Sequence, residues 1–323
     1  MNVKDVLSTE ELKSVTARSN WKAAWLFIVN YALTFAIFAM MAIWPNPLTI
    51  VLAIILFGGR QLGFGVLVHE CGHGTLFTTK KLNDFFGTWF AAPPTFNNMH
   101  AYARGHLAHH RLAGTHEDPD LPNYDNYPIE PARFRRKVWR DLSGRTGWKQ
   151  TKGLYRALLK VASLPAEARD ALLKGLVAQV LILAACTAAG APWMFIVWWV
   201  AFMTTHRLIL RIRQVAEHGA VEGLYDPDPR LNTRTVPANW LDRLVFCPLW
   251  VCYHLEHHMM ASVPAYNLRR MHRMLKAKGH YDEVDFPANY VQLLRHVTTP
   301  KPAVQPVVRN IEPGQEPSNF SSW

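Results

Sequence analysis

Four long apolar runs, arranged as two pairs, leave this chain few ways to fold. From Trp21 to Trp44 the sequence reads WKAAWLFIVNYALTFAIFAMMAIW, almost without charge. At 1.5 Å per helical residue that run crosses a bilayer core of about 30 Å. Pro45-Asn46-Pro47 then turns the chain, and a second run from Leu48 to Val68 is broken only by Gly58-Gly59-Arg60-Gln61. The pattern repeats later. Leu172 to Ala189 is apolar except for Lys174 and Gln179, Gly190-Ala191-Pro192 makes a turn, and Trp193 to Leu210 is apolar apart from Thr204-Thr205-His206-Arg207. Any one run could be a buried helix of a soluble protein, but their length and pairing argue against that. The expected fold is an all-α integral membrane protein of two transmembrane helical hairpins, with spans at about 21–44, 48–68, 172–189 and 193–212. Residues 69–171 and 213–298 then form a cap on one side of the membrane.

Composition agrees. Charged residues make up 18% of the 323, below the roughly 25% of soluble domains, and the apolar content is too high for a disordered chain. The four cysteines, Cys71, Cys186, Cys247 and Cys252, are scattered without a C-x-x-C pair. A disulfide scaffold is excluded, and neither an iron–sulfur cluster nor a c-type haem is expected. A single unit over residues 1–298 is expected, followed by a tail at 299–323 with five prolines and the composition of disorder. The first 20 residues are polar, with Ser8 and Glu11 at capping-box spacing, and do not read as a removable signal peptide.

Charge sets the orientation. Both hairpin turns are uncharged, whereas residues 100–170 hold 13 Lys and Arg, and Lys13, Arg18 and Lys22 flank the first run. The positive-inside rule puts both termini and the cap in the cytoplasm. The net charge of +11 then needs no nucleic acid, for which no binding motif is present. A basic cytoplasmic face suits anionic headgroups or an acidic protein partner.

Histidine carries the chemistry. Eight of the 15 histidines fall in three windows: His69-Glu-Cys-Gly-His73, His106-Leu-Ala-His109-His110 and His254-Leu-Glu-His257-His258. Residues at i, i+3 and i+4 share a helix face, so each window aims its imidazoles one way, beside the cytoplasmic end of an apolar run. Packing does not call for such clusters, since unpartnered buried imidazoles are costly. Neutral imidazoles are good ligands for divalent ions. Eight nitrogens exceed one closed four-ligand site and suit two metal ions with open positions; the nitrogen donors alone fit iron, copper, nickel or zinc. His69-Glu70-Cys71-Gly72-His73 also matches the H-E-x-x-H zinc protease motif, but a protease leaves the other six histidines unexplained. A metal transporter would place its ligands near the bilayer midplane, and these lie to one side.

The order H-x-x-x-H, H-x-x-H-H, H-x-x-H-H on a hairpin–loop–hairpin chain resembles the membrane fatty acid desaturase and hydroxylase superfamily over roughly residues 20–290. Tyr253-His-Leu-Glu-His-His258 and Ser262-Val-Pro-Ala-Tyr-Asn-Leu268 are similar to bacterial and plastid acyl-lipid desaturases. The resemblance implies two iron ions held by His69, His73, His106, His109, His110, His254, His257 and His258. It implies O₂ as co-substrate, two electrons per turnover, and oxidation of an unactivated C–H bond. The expected reaction introduces a double bond into a lipid acyl chain in the inner membrane of a bacterium; hydroxylation or carotenoid ketolation is the alternative within the superfamily. Three residues inside the first box, where acyl-CoA enzymes have four, favour a substrate not linked to CoA. No fused haem domain, flavin or iron–sulfur motif is recognised, so an external donor such as a ferredoxin is implied. Relatives often carry one more ligand between the second and third boxes, which points to His218, with Gln214 one turn earlier placed to hold a metal-bound water. Metal-bound histidines usually give their second N–H to a carboxylate or carbonyl, which makes Glu70, Glu217, Glu256, Asp118 and Asp120 candidates. Phe85, Phe86, Trp89 and Phe90 either line a substrate channel or form an interfacial aromatic belt.

Overall fold

The computed structural model describes residues 3–299, all in helices, turns and loops; no strand occurs among the described residues. The expected tail at 299–323 lies outside them except for Thr299. The elements that position the site are α1 (Thr9–Thr16), α2 (Asn20–Ile43), α3 (Pro47–Gly72), α4 (Lys80–Phe86), α5 (Met99–Leu112), α6 (Pro131–Leu142), α7 (Arg145–Leu159), α8 (Ala166–Ala188), α9 (Trp193–Met203), α10 (Thr205–His218), α11 (His254–Met259), α12 (Ala265–Ala277) and α13 (Tyr290–Val297). Among the described residues four stretches are long and apolar enough to cross a membrane: α2, α3, α8 and the α9–α10 pair.

Local chemistry explains the boundaries. Ser8 and Glu11 form the capping box that starts α1, at 3.2 and 2.7 Å. Asn46 caps α3 through the Leu48 and Thr49 amides, with Pro47 at the first helical position, where no N–H is needed. α3 does not stop at Val68: it runs on to Gly72 and carries His69 on its last turns. α8 begins at Ala166, ahead of the expected 172, because Glu167, Arg169 and Asp170 extend the apolar helix by a polar turn. The fourth span is interrupted at Thr204 (φ −119°, ψ −86°), inside the polar break visible in the sequence.

α3 is the hub. It packs against α2, α9, α10 and α5, and 61% of its most apolar window is buried, against 22–44% for the other three spans. Its small and polar residues make this possible. A Cβ at Gly58 would lie 2.6 Å from the Thr205 hydroxyl, and one at Gly59 2.6 Å from the Leu244 carbonyl, so only glycine admits both neighbours. Arg60 and Gln61 are buried and used: Arg60 donates to Asn30 Oδ1 (3.2 Å) and the Leu244 carbonyl (2.7 Å), and Gln61 to the Trp198 carbonyl (2.9 Å). The Gly-Gly-Arg-Gln interruption thus ties α3 to α2, α9 and the segment that leads to the third histidine box.

On the side where α3 and α10 end, α5, α11 and α12 close over them. α12 anchors the N-terminal segment through Asn267, whose amide donates to the Val15 and Ala17 carbonyls.

Candidate metal centre

Each histidine window sits on a helix or at its end. His69 is in the last turns of α3, with His73 as its C-cap. His106, His109 and His110 lie on α5, His218 ends α10, and His254, His257 and His258 form most of α11. These four stretches converge, and the nine imidazoles sort into two groups. His69, His73, His106, His110 and His257 form one; His109, His218, His254 and His258 form the other. Within each group one nitrogen per residue lies within 4.8 Å of all the others.

Helical spacing produces the division. His106 and His110, at i and i+4, share a face of α5 and point to the first group; His109 leaves at a different angle and joins the second. On α11 the i, i+4 pair His254 and His258 goes to the second group and His257 to the first. Each H-x-x-H-H box therefore feeds both groups, with the two-to-one shares reversed. The groups touch where the His110 and His258 rings stack at 4.2 Å between centroids.

Within each group the nitrogens lie close enough together to hold a metal ion. His110 Nε2 lies 3.0 Å from His106 Nε2 and 2.9 Å from His257 Nε2; His254 Nε2 lies 3.1 Å from both His218 Nε2 and His258 Nε2. The far side of several rings fixes the tautomer, because an acceptor there requires N–H. His69 Nδ1 faces Glu70 Oε1 at 2.9 Å, His109 Nδ1 faces Asp118 Oδ1 at 2.8 Å, and His218 Nδ1 donates to the Asn232 carbonyl at 3.0 Å. Their Nε2 lone pairs then point inward at one another. His69 Nε2 and His73 Nε2 are buried without a hydrogen-bond partner. Inward lone pairs repel until a cation sits between them, and a divalent ion at about 2.0–2.1 Å from imidazole nitrogen is the matching species.

Burial keeps the rings neutral. It pushes His73 down to about 4, and together with the neighbouring His73, His109 and His218 it pushes His110 to about 2. His106, His254, His257 and His258 are held well below the ordinary value, by burial first and neighbouring imidazoles second. Asp118 goes the other way: burial would raise it, but the hydrogen bonds from His109 and Tyr124 outweigh that and hold it low.

The remaining expected residues divide. Glu70 bridges His69 and the Ala265 amide (2.9 Å each). Asp118 orients His109, and its backbone neighbour Asp120 donates its amide to Asp118 Oδ1 at 2.9 Å. Glu217 lies 3.5 Å from His254 Nδ1 and pairs with Arg213 at 2.7 Å. Glu256 departs from the expectation. Its carboxylate receives Thr235 (2.5 Å), His272 (2.6 Å) and Tyr281 (2.6 Å), not a box histidine. At about 100° per residue its side chain leaves α11 on the side opposite His254 and His258, so it fastens the helix to α12 rather than orienting a ring. Two contributors gave no sequence signal. Tyr124 donates to Asp118 and stacks on His218 (4.8 Å, 22°), and Asn232 supplies a carbonyl; Tyr124 follows a single 3-10 turn and Asn232 ends a four-residue helix, neither carrying a motif.

Beside the histidines lies a cavity of about 600 Å³. Leu62, Val68, Phe202 and Leu210 form apolar wall, His106, His109, His218 and His254 form its inner end, and Gln214 faces it. Trp89 and Phe90 are outside this lining. They follow α4 on the outer face, 55% and 40% exposed, with Lys174 Nζ 4.1 Å from the Trp89 ring centroid. That arrangement suits the interfacial belt, the second of the two readings.

Comparison with known proteins agrees with the geometry. Dihydrorhizobitoxine desaturase of Bradyrhizobium elkanii is 28% identical over 254 residues, covering 75% of this chain and 70% of that protein. The sn-1 oleoyl-lipid 12-desaturases of Anabaena variabilis and of a Picosynechococcus strain are 24% and 23% identical, covering 91% and 87% of this chain and 88% and 84% of theirs. Residues 42–286 match the family described as Fatty acid desaturase, which makes the chain a member of the fatty acid desaturase family.

Proposed function

We propose that this protein is a membrane di-iron desaturase that uses O₂ and two electrons from an external carrier, such as a ferredoxin, to place a double bond in an acyl chain. The observation that carries the reading is the sorting of nine inward-facing imidazole nitrogens into two adjoining groups at the end of a cavity. His69, His73, His106, His110 and His257 would hold one ion and His109, His218, His254 and His258 the other. Ions bound there would activate O₂, the oxidant for C–H cleavage.

What the chain itself contributes is placement. Glu70, Asp118 and the Asn232 carbonyl hold the Nδ1 protons of their histidines, keeping each Nε2 free as a donor. Glu217 lies farther from its histidine, 3.5 Å from His254 Nδ1, and is hydrogen-bonded to Arg213 instead. Leu62, Val68, Phe202 and Leu210 exclude water from the wall next to the histidines and restrict which methylenes reach them. Gln214 lies one turn before His218 and faces the same space, placed to hold a water at the second group. The basic residues of α6 and α7 face the inner leaflet, with both termini on that side.

Purified protein should contain about two iron per chain, against one zinc for an H-E-x-x-H protease. Membranes supplied with a reduced ferredoxin and O₂ should yield a more unsaturated acyl fraction by mass spectrometry. Zinc in place of iron, or saturated lipids after donor-dependent O₂ uptake, would end the proposal.

A further inference from the structure

The α10 helix carries three arginines, and the fold pairs two of them with carboxylates. Arg211 holds Asp141 through Nε (2.5 Å) and a second guanidinium nitrogen (3.0 Å), and Arg213 holds Glu217 at 2.7 Å. The third, Arg207, is 9% exposed and has neither a hydrogen bond nor an ion pair from its side chain among the described residues. Its Nε is buried without a partner. The guanidinium lies over the Phe202 ring, 4.3 Å from the centroid, and Asp141, the carboxylate nearest in effect, is already occupied by Arg211 and Thr146. Its neighbour His206, 7% exposed, also has a buried, unpartnered Nδ1. Both residues line the cavity that ends at the histidines, along with Asn97, Gln150 and Thr151.

A charged side chain inside a membrane-spanning segment is costly and marks a ligand or pathway when no protein partner neutralises it. Purely alkyl cargo would leave Arg207 unsatisfied and would gain nothing from the amide and hydroxyl groups around it. We propose that Arg207 binds an oxyanion carried by the substrate itself, a carboxylate in particular. The substrate is then an anionic amphiphile whose charged end enters the cavity rather than an acyl chain esterified in a neutral linkage. This assignment rests on the desaturase reading and narrows its substrate class. The geometry sets a ruler: Arg207 precedes His218 by eleven residues, about 16 Å along the helix axis, so the anionic end is fixed at one end of the cavity and the oxidised carbons lie toward the other.

Binding of laurate and of methyl laurate to the metal-loaded protein in nanodiscs, measured by calorimetry, separates charge from chain. Laurate should bind tighter by about tenfold or more, the size of a charge-assisted hydrogen bond. Arg207→Gln should remove that difference while leaving methyl laurate binding and metal content unchanged, and Arg207→Lys should keep most of it. Because the guanidinium has no hydrogen-bond or ion-pair partner to lose, only its contact with the Phe202 ring, Arg207→Gln should unfold within a few degrees of the parent; a large drop in midpoint would mark a structural arginine and overturn the proposal. So would equal affinity for the two ligands in the parent, or a preference for laurate that survives Arg207→Gln. Inorganic phosphate binding as tightly as laurate would show a free-anion site and also reject the assignment. None of these readouts needs turnover: laurate selectivity without desaturation would sink the proposed activity and leave the binding site standing.

Discussion

At the level of single residues, the two groups of nitrogens differ in how much they can lose. His218 is one of four rings in its group, and its Nδ1 is held by a backbone carbonyl. His218→Ala leaves three rings there and five in the other group. Metal per chain should fall from about two to about one, read by elemental analysis, with activity lost; unchanged content would remove His218 from the ligand set. Asp118→Asn probes the layer behind. It offers His109 a poorer acceptor, and loss of such a partner weakens metal affinity by about 10–100-fold, measurable by chelator competition. Acid should act on the metal-free protein with a definite sign. His73 falls from its ordinary 6.5 to about 4 in the folded state, so below pH 6.5 the unfolded chain takes up a proton that the folded chain refuses. Stability should therefore drop as pH falls from 6.5 toward 4, by on the order of 3 kcal/mol from this residue alone. A midpoint flat over that window in detergent-solubilised, metal-stripped protein would count against burial of the neutral ring. The box spacing already carried these rings in the sequence, because i, i+3 and i+4 are neighbours on any helix. Tyr124 and Asn232 were not legible, since each reaches its histidine from a single short helical turn whose placement only the fold determines.

Among the elements, α3 is where sequence and structure inform each other most. Its interruption at Gly58-Gly59-Arg60-Gln61 looks like a weak point in an apolar run, yet these residues make the close approaches and buried hydrogen bonds that fix α2, α10 and residues 243–245 around it. The direction of those bonds depends on partners far away in the chain, so hydropathy could mark the break but not its use. Gly59→Ala tests it: the added Cβ meets the Leu244 carbonyl at 2.6 Å and Val245 Cα at 2.9 Å, backbone that cannot swing aside. Overpacking of this kind costs about 1–3 kcal/mol, so thermal unfolding should move down. The third histidine box begins nine residues beyond Val245 and feeds both nitrogen groups, so metal content should fall at both. The run lengths were also readable, but their ends were not. Glu167, Arg169 and Asp170 read as a loop by hydropathy and fold as the first turns of α8, because a helix leaving a membrane continues into the headgroup layer without changing its hydrogen bonding.

The whole molecule must choose a side of the membrane, and the choice decides whether the histidines share a compartment with a reducing donor. The spans alternate, so the turn at 189–192 and the turn after α6 lie on opposite sides. Basic residues crowd the second of these, with Arg133, Arg135, Arg136, Lys137 and Arg140 on α6 and Arg145 and Lys149 at the start of α7, and Trp139 and Trp148 stand out from the same helices, 67% and 54% exposed. Basic side chains with exposed tryptophans are what the proposed orientation requires of a surface resting on an anionic leaflet. All four native cysteines are buried, so a single introduced thiol reports its own side. With a membrane-impermeant maleimide on intact cells, Gly190→Cys should label and Ser143→Cys should label only after the cells are opened. Labelling of Ser143→Cys from outside would invert the topology, place the two imidazole groups in an oxidising compartment away from soluble carriers, and remove the electron source the proposed reaction needs.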